Sequence, residues 1–210
     1  ALSNTGVGYL SLSALTTGDN NTAVGRSALA ANTTGHENEA FGAYALTANE
    51  DGVNNVAMGT SALAANTDGG SNTAIGRAAM ETGTSPEQNV AVGHSALAAL
   101  ATGTDNIAVG YQALDGANGA ENHNIAIGSS ALGSANSDNV SANIAIGTSA
   151  MSGTGTQDIA GCVAVGYQSL QNAEDEADFT VAVGYQALNA LTSGAGNLAI
   201  GYKAMELQQA

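Results

Sequence analysis

Asn20 to Gly35 reads NNTAVGRSALAANTTG, and the core of that string, N-x-A-[VI]-G-x-x-A-L, returns along the whole chain. With its glycine as position zero, the copies fall at Gly8, Gly25, Gly42, Gly59, Gly76, Gly93, Gly110, Gly128, Gly147, Gly166, Gly184 and Gly201. The spacing is 17 residues six times, then 18, 19, 19, 18 and 17. Twelve occurrences in phase make residues 1–210 a single repeat array.

The columns of the alignment carry the structural information. One residue before the glycine stands an apolar, mostly β-branched side chain, such as Val24, Phe41, Met58, Ile75, Val92 and Ile127. Four residues after it stands Leu or Met, as in Leu29, Leu46, Met80 and Leu97. These two columns are expected to form the core. Ala occupies the position two before the glycine in every copy but the first, which has Gly6. Strand-like alternation puts the β-branched column and the position two before it (Thr22, Val90, Ile107, Ile144) on one face, and Asn, Ala and Gly on the other. A glycine in every copy and a short period exclude a helix pair. The fold expected is therefore all-β, a parallel β-solenoid of twelve coils with one coil of 17–19 residues per repeat. Like residues then stack about 4.8 Å apart.

Stacking gives the opening Asn of the motif a structural role. Asn4, Asn21, Asn38, Asn55, Asn72, Asn89, Asn106, Asn124, Asn143 and Asn197 would form a carboxamide ladder between coils, with Cys162 and Thr180 as substitutes in two consecutive copies. A polar row for a ligand is the alternative reading. Gly18, Gly35, Gly52, Gly69, Gly103 and Gly194, each ten residues after the motif glycine, are expected to mark a turn with positive φ, and Pro86 takes that place once. The longer loops 115–123, 133–142, 152–161 and 171–179 are successive and should stack into one raised patch.

Composition agrees with an array rather than an ordinary core. The chain has 43 Ala and 28 Gly in 210 residues, no Trp, and a formal net charge of −15 with only three Lys and Arg. Phosphate recognition needs clustered cations, so nucleic acid is not an expected partner, and an anionic membrane surface is disfavoured for the same reason. No apolar run is long enough to span a bilayer. With so few large side chains, burial against other chains is expected. The flat Ala and Gly columns are the predicted contact surface, and a homo-oligomer, most simply a trimer, follows.

The string NNTAVGRSALAANTTG, with its echoes NTAIGRAAM and NIAVGYQAL, resembles the head repeats of trimeric autotransporter adhesins of the YadA type. It is more similar still to related repeats in bacteriophage tail fibres. The resemblance implies a left-handed β-roll wound as a homotrimer, located extracellularly in a virion tail fibre or a cell-surface appendage. It also implies attachment to a host or surface receptor, with no catalytic residues to carry over. Repeats of 17 to 19 residues depart from the adhesin heads, whose repeats are shorter. The array begins inside a copy and stops shortly after Met205 without a polar cap, so a segment of a longer fibre is expected, with a self-stacking filament subunit as the alternative.

Candidate contact residues follow the motif glycine. Tyr9, Tyr111, Tyr167, Tyr185 and Tyr202 occupy that position, and Gln112, Gln168 and Gln186 follow three of them. Aromatic rings beside amides suit a surface glycan or protein receptor, although packing over the neighbouring coil's corner is the plainer reading. Phe179 joins them from the last long loop. Glu174, Asp175, Glu176 and Asp178 offer a weak calcium candidate without an Asp-rich binding pattern, and a solvated charge run is the plainer reading. No cofactor, resident metal or enzymatic activity is expected, since His36, His94 and His123 share no spacing. A glycan-degrading spike and an ice-binding solenoid are lesser alternatives.

Overall fold

The computed structural model describes residues 2–116, 119, 121–134, 140–153, 158–173, 177–191 and 194–206. One three-residue strand per repeat, from β1 (Thr5–Val7) to β12 (Leu198–Ile200), joins a single parallel sheet in chain order. No helix occurs among the described residues. The chain is a parallel β-solenoid.

Register is set by the columns themselves, with Ala23 opposite Ala40 and Val24 opposite Phe41. Ile127 still faces Ile146 across a 19-residue repeat, so the extra residues are absorbed outside the ladder. The opposite wall is bonded as well: Leu29 N–H donates to Ala45 O at 3.1 Å and Ala31 N–H to Thr47 O at 3.1 Å. Bridges from Asn122 to Ser141 and from Ser141 to Ala160 show the ends of successive insertions in register. The raised patch expected from those loops lies largely outside the described residues.

The interior is not the one expected. Ala23, Ala40, Ala57, Ala74, Ala91 and Ala108 are fully buried, whereas Phe41, Met58, Ile75, Ile127 and Ile146 are 37–43% exposed. The β-branched column therefore faces outward, and the Ala column is the inner face of the strand. A coil of this length is narrow, and the Leu or Met column fills it from the opposite wall. The space left for the strand's inner face is measured at Gly6, where an added Cβ would lie 3.5 Å from Leu12 Cδ1. A methyl group just touches the leucine, and a larger side chain would collide. The Ala column is consequently not a surface for another chain.

Three corners per coil use left-handed backbone at non-glycine residues. In the second coil these are Asn20 (φ 57°), Ser27 (φ 55°) and Leu29 (φ 49°), and the same positions recur along the rod. Each costs roughly 1–2 kcal/mol, which the ladders of both walls must outweigh. The turn glycines are a second correction. Gly35 and Gly52 do not adopt positive φ, and only Gly194 of that set does. They are glycine because a Cβ on Gly35 or Gly52 would lie 2.5 Å from the next turn's carbonyl oxygen.

The leucine column dominates the apolar core, so truncation within it should be costly. Leu63, fully buried, is expected to destabilise the chain by about 3 kcal/mol as Leu63→Ala. Equilibrium urea unfolding checks this, and a change under about 1 kcal/mol would contradict the assigned interior.

Candidate functional site

Two stacked systems, one inside the coils and one on their surface, contain most of the residues singled out by sequence. The inner one is the asparagine ladder. Asn38 Nδ2 donates to Asn21 Oδ1 at 3.2 Å, Asn55 to Asn38 at 3.2 Å and Asn72 to Asn55 at 3.0 Å. Asn89, Asn106, Asn124 and Asn143 continue the series at 3.0–3.2 Å. Each amide also donates to a turn carbonyl, as Asn38 does to Gly52 O at 2.8 Å. From Asn21 to Asn143 these side chains are fully buried.

At Cys162 the ladder changes chemistry. Its N–H donates to Asn143 Oδ1 at 2.9 Å while its thiol points at Ala177 O at 3.1 Å. Burial pushes the thiol above its ordinary range. Thr180 follows, and its hydroxyl accepts the Asn197 N–H at 3.3 Å. Asn197 Nδ2 turns instead to Gly194 O, at 2.6 Å.

A second, shorter ladder was not foreseen. Asn49 Nδ2 donates to Asn32 Oδ1 at 2.8 Å and Asn66 Nδ2 to Asn49 Oδ1 at 2.7 Å. The series stops where Gly83 takes the next position, leaving Asn66 Oδ1 buried without a partner. The signal was present as Asn in the same column of three successive copies, three residues before the turn glycines Gly35, Gly52 and Gly69.

The outer system is the corner that follows the motif glycine. The Tyr167 and Tyr185 rings stack at 5.3 Å with planes 14° apart, and Tyr185 and Tyr202 do the same. Gln186 Nε2 donates to Gln168 Oε1 at 2.8 Å beside them. Tyr111 stacks on His94 at 5.4 Å, with Gln112 N–H donating to His94 O at 3.0 Å. Tyr185 is covered on both faces by its neighbours, whereas Tyr111, Tyr167 and Tyr202 are each stacked on one other ring. Tyr202, 75% exposed, is the most open of them, with Lys203 Nζ 5.9 Å from its ring centre. Phe179 is 69% exposed on a different corner, where its ring lies over Gly161 and leaves no room for a Cβ there.

Between the corners runs the outward strand face. Val, Ile, Phe and Met make up its column next to the glycine in every coil. At about 4.8 Å per coil and 3.3 Å per residue the face measures roughly 55 by 10 Å, apolar in both outward columns from Val90 to Ile200 and interrupted before that by Thr5, Thr22, Glu39 and Thr73. Exposed apolar patches of that size mark interaction surfaces.

Of the acid cluster, Glu174, Asp175 and Glu176 lie outside the described residues. Asp178 Oδ1 accepts the Ala160 N–H at 2.8 Å, as a brace between coils. Among the described residues no cavity is found, no three His, Cys, Asp or Glu side chains converge, and no helix is long and apolar enough to cross a membrane. No protein-family model, curated protein or solved structure matches the chain.

Proposed function

We propose that this chain is a segment of an extracellular fibre that serves as a rigid shaft and attachment surface. Copies of it associate as a homotrimer through the outward strand face. The single observation that supports the reading is the unbroken outward-facing row of Val, Ile, Phe and Met along the sheet, in which Phe41, Met58, Ile75, Ile127 and Ile146 are exposed and Val24, Val92, Val109, Val165 and Val183 half-buried. A lone rod would hold that row in water, whereas a strip only three residues wide allows three rods to meet on one axis. The resemblance to tail-fibre and adhesin-head repeats agrees with this role in a virion or on a cell surface.

Attachment is assigned to the tyrosine corner, with Tyr111, Gln112, Tyr167, Gln168, Tyr185, Gln186 and Tyr202, and to Phe179 with the long loops. A row of phenol hydroxyls and amides suits a surface glycan or a polar protein receptor.

The test compares the chain with Ile127→Lys/Ile146→Lys, in which two charges are set in the middle of the strip. Light scattering should show a trimer for the first and a monomer for the second, with the β circular dichroism of both alike. Equal masses would contradict the interface. Incubation with bacterial surface polysaccharide should show retention without turnover, and turnover would replace attachment with glycan cleavage.

A further inference from the structure

All three Lys and Arg of the chain, Arg26, Arg77 and Lys203, stand one or two residues after a motif glycine, and no Asp or Glu occupies either position in any copy. In a chain with a formal net charge of −15, cations collect at this corner alone. Two of them are engaged. Lys203 Nζ pairs with Glu206 at 2.8 Å, and Arg26 lies over the Tyr44 ring at 5.4 Å. Arg77 differs: its exposed guanidinium meets His94 Nε2 and has no carboxylate partner among the described residues. A guanidinium only donates, so His94 accepts at Nε2 and carries its proton on Nδ1, which is buried without a partner. The contact leaves the positive charge of Arg77 uncompensated.

Arg77, His94 and Tyr111 hold the same position in the fifth, sixth and seventh coils, so the row is about 10 Å long. Its backbone is tied from coil to coil, with Ser95 N–H donating to Arg77 O at 3.0 Å. The His94 ring covers one face of Tyr111. Beyond the other face the position holds Ser129 and then Thr148, and the next ring is Tyr167, roughly 14 Å away. Tyr111 is accordingly 52% exposed. Beside it the Gln112 amide makes no hydrogen bond among the described residues, whereas Gln168 and Gln186 are bonded to each other.

We propose that this row is a subsite for an acidic sugar residue of a surface glycan. Arg77 takes the carboxylate or sulfate, held in place by His94, and the adjoining pyranose lies on the open face of Tyr111 with its hydroxyls on Gln112. This rests on the attachment reading of the tyrosine corner and adds to it the class of glycan and the residues Arg77 and His94. A guanidinium bonded to an anion forms a strong, directional contact, and a ring face with an amide beside it suits a sugar. An acidic peptide would satisfy Arg77 equally, but the described residues offer no cavity for its other side chains.

The test probes the whole chain with immobilised oligosaccharides that are neutral, carboxylate-bearing or sulfated. Acidic members should bind about tenfold more tightly than neutral ones at low salt, with the preference shrinking as salt rises. The carboxylate and sulfate arms separate the two sources of anion. Arg77→Gln should abolish the preference while neutral binding stays, and Arg77→Lys should restore part of it. His94→Phe keeps a ring on Tyr111 but removes the acceptor for Arg77, and should reduce the preference about threefold. Tyr111→Ala should weaken acidic and neutral binding alike. Circular dichroism of every variant should match the wild type, because these side chains stand on the outer corner. Equal binding of neutral and acidic glycans, or a preference that survives Arg77→Gln, overturns the acidic subsite and leaves attachment standing. Displacement of the bound glycan by poly-aspartate as readily as by the free acidic oligosaccharide overturns the sugar in favour of an acidic peptide. Retention of no glycan at all overturns the reading of the corner as a glycan-attachment surface, and this inference with it.

Discussion

Gly110→Ala is expected to cost roughly 3–5 kcal/mol and to split the rod into two weakly coupled halves. Gly110 has φ of 139°, a backbone that L side chains rarely adopt, and an added Cβ would lie 2.5 Å from Gly128 O and 2.7 Å from its carbonyl carbon. Neither atom can move without carrying the next coil with it. Solenoid coils are stabilised through their neighbours, so a defect at mid-array removes coupling on both sides. Gly6→Ala is the opposing control. The same column holds Ala in all other copies, and the new methyl would meet Ser11 Oγ at 3.3 Å, Leu12 Cδ1 at 3.5 Å and Ser11 O at 3.7 Å. That substitution should be neutral or stabilising. Urea unfolding with site-resolved amide exchange checks both, and equal effects of the two would contradict the assignment of motif glycines to close approach.

The second large effect is expected in the buried ladder. Asn72 Nδ2 donates to Asn55 Oδ1 at 3.0 Å and to Pro86 O at 2.7 Å, while its Oδ1 accepts Asn89 N–H at 3.1 Å and Asn89 Nδ2 at 3.2 Å. In Asn72→Ala the Pro86 carbonyl and the Asn89 N–H lose these partners in a site closed to water. With about 1–3 kcal/mol for each orphaned group, the loss should be roughly 3–5 kcal/mol. Asn72→Thr should lose about half as much, because a hydroxyl still accepts the next N–H. Thr180 already does so for Asn197. Chemical denaturation of both variants checks the order, and a milder Ala than Thr would contradict a hydrogen-bonded ladder.

The period, the parallel register and the Asn ladder were legible because a solenoid places like residue on like residue, so each alignment column is already a contact list. Which face turned inward was harder to read. Alternation defines two faces without ranking them, and hydrophobicity pointed to Val24 and Ile75 rather than to Ala23 and Ala74. The better signal was size. The Ala column barely varies, as a space of fixed volume requires, whereas the neighbouring column accepts Val24, Phe41 and Met58 in successive coils, as an open face permits. The turn glycines were misread for a related reason. Glycine marks either unusual φ or close approach, and sequence alone does not separate the two at Gly35 and Gly52. Stacking of Tyr167 on Tyr185 followed from their shared column, but the turning of ring faces toward one another required the coordinates.

This exposed strip of β-branched side chains gives the account its central claim, that the rod is one strand of a larger assembly. Sedimentation equilibrium of the purified chain at micromolar concentration measures it most directly. The predicted result is a species of three times the 20.4 kDa chain mass that persists on dilution. A stable 20.4 kDa species across the same range would contradict it.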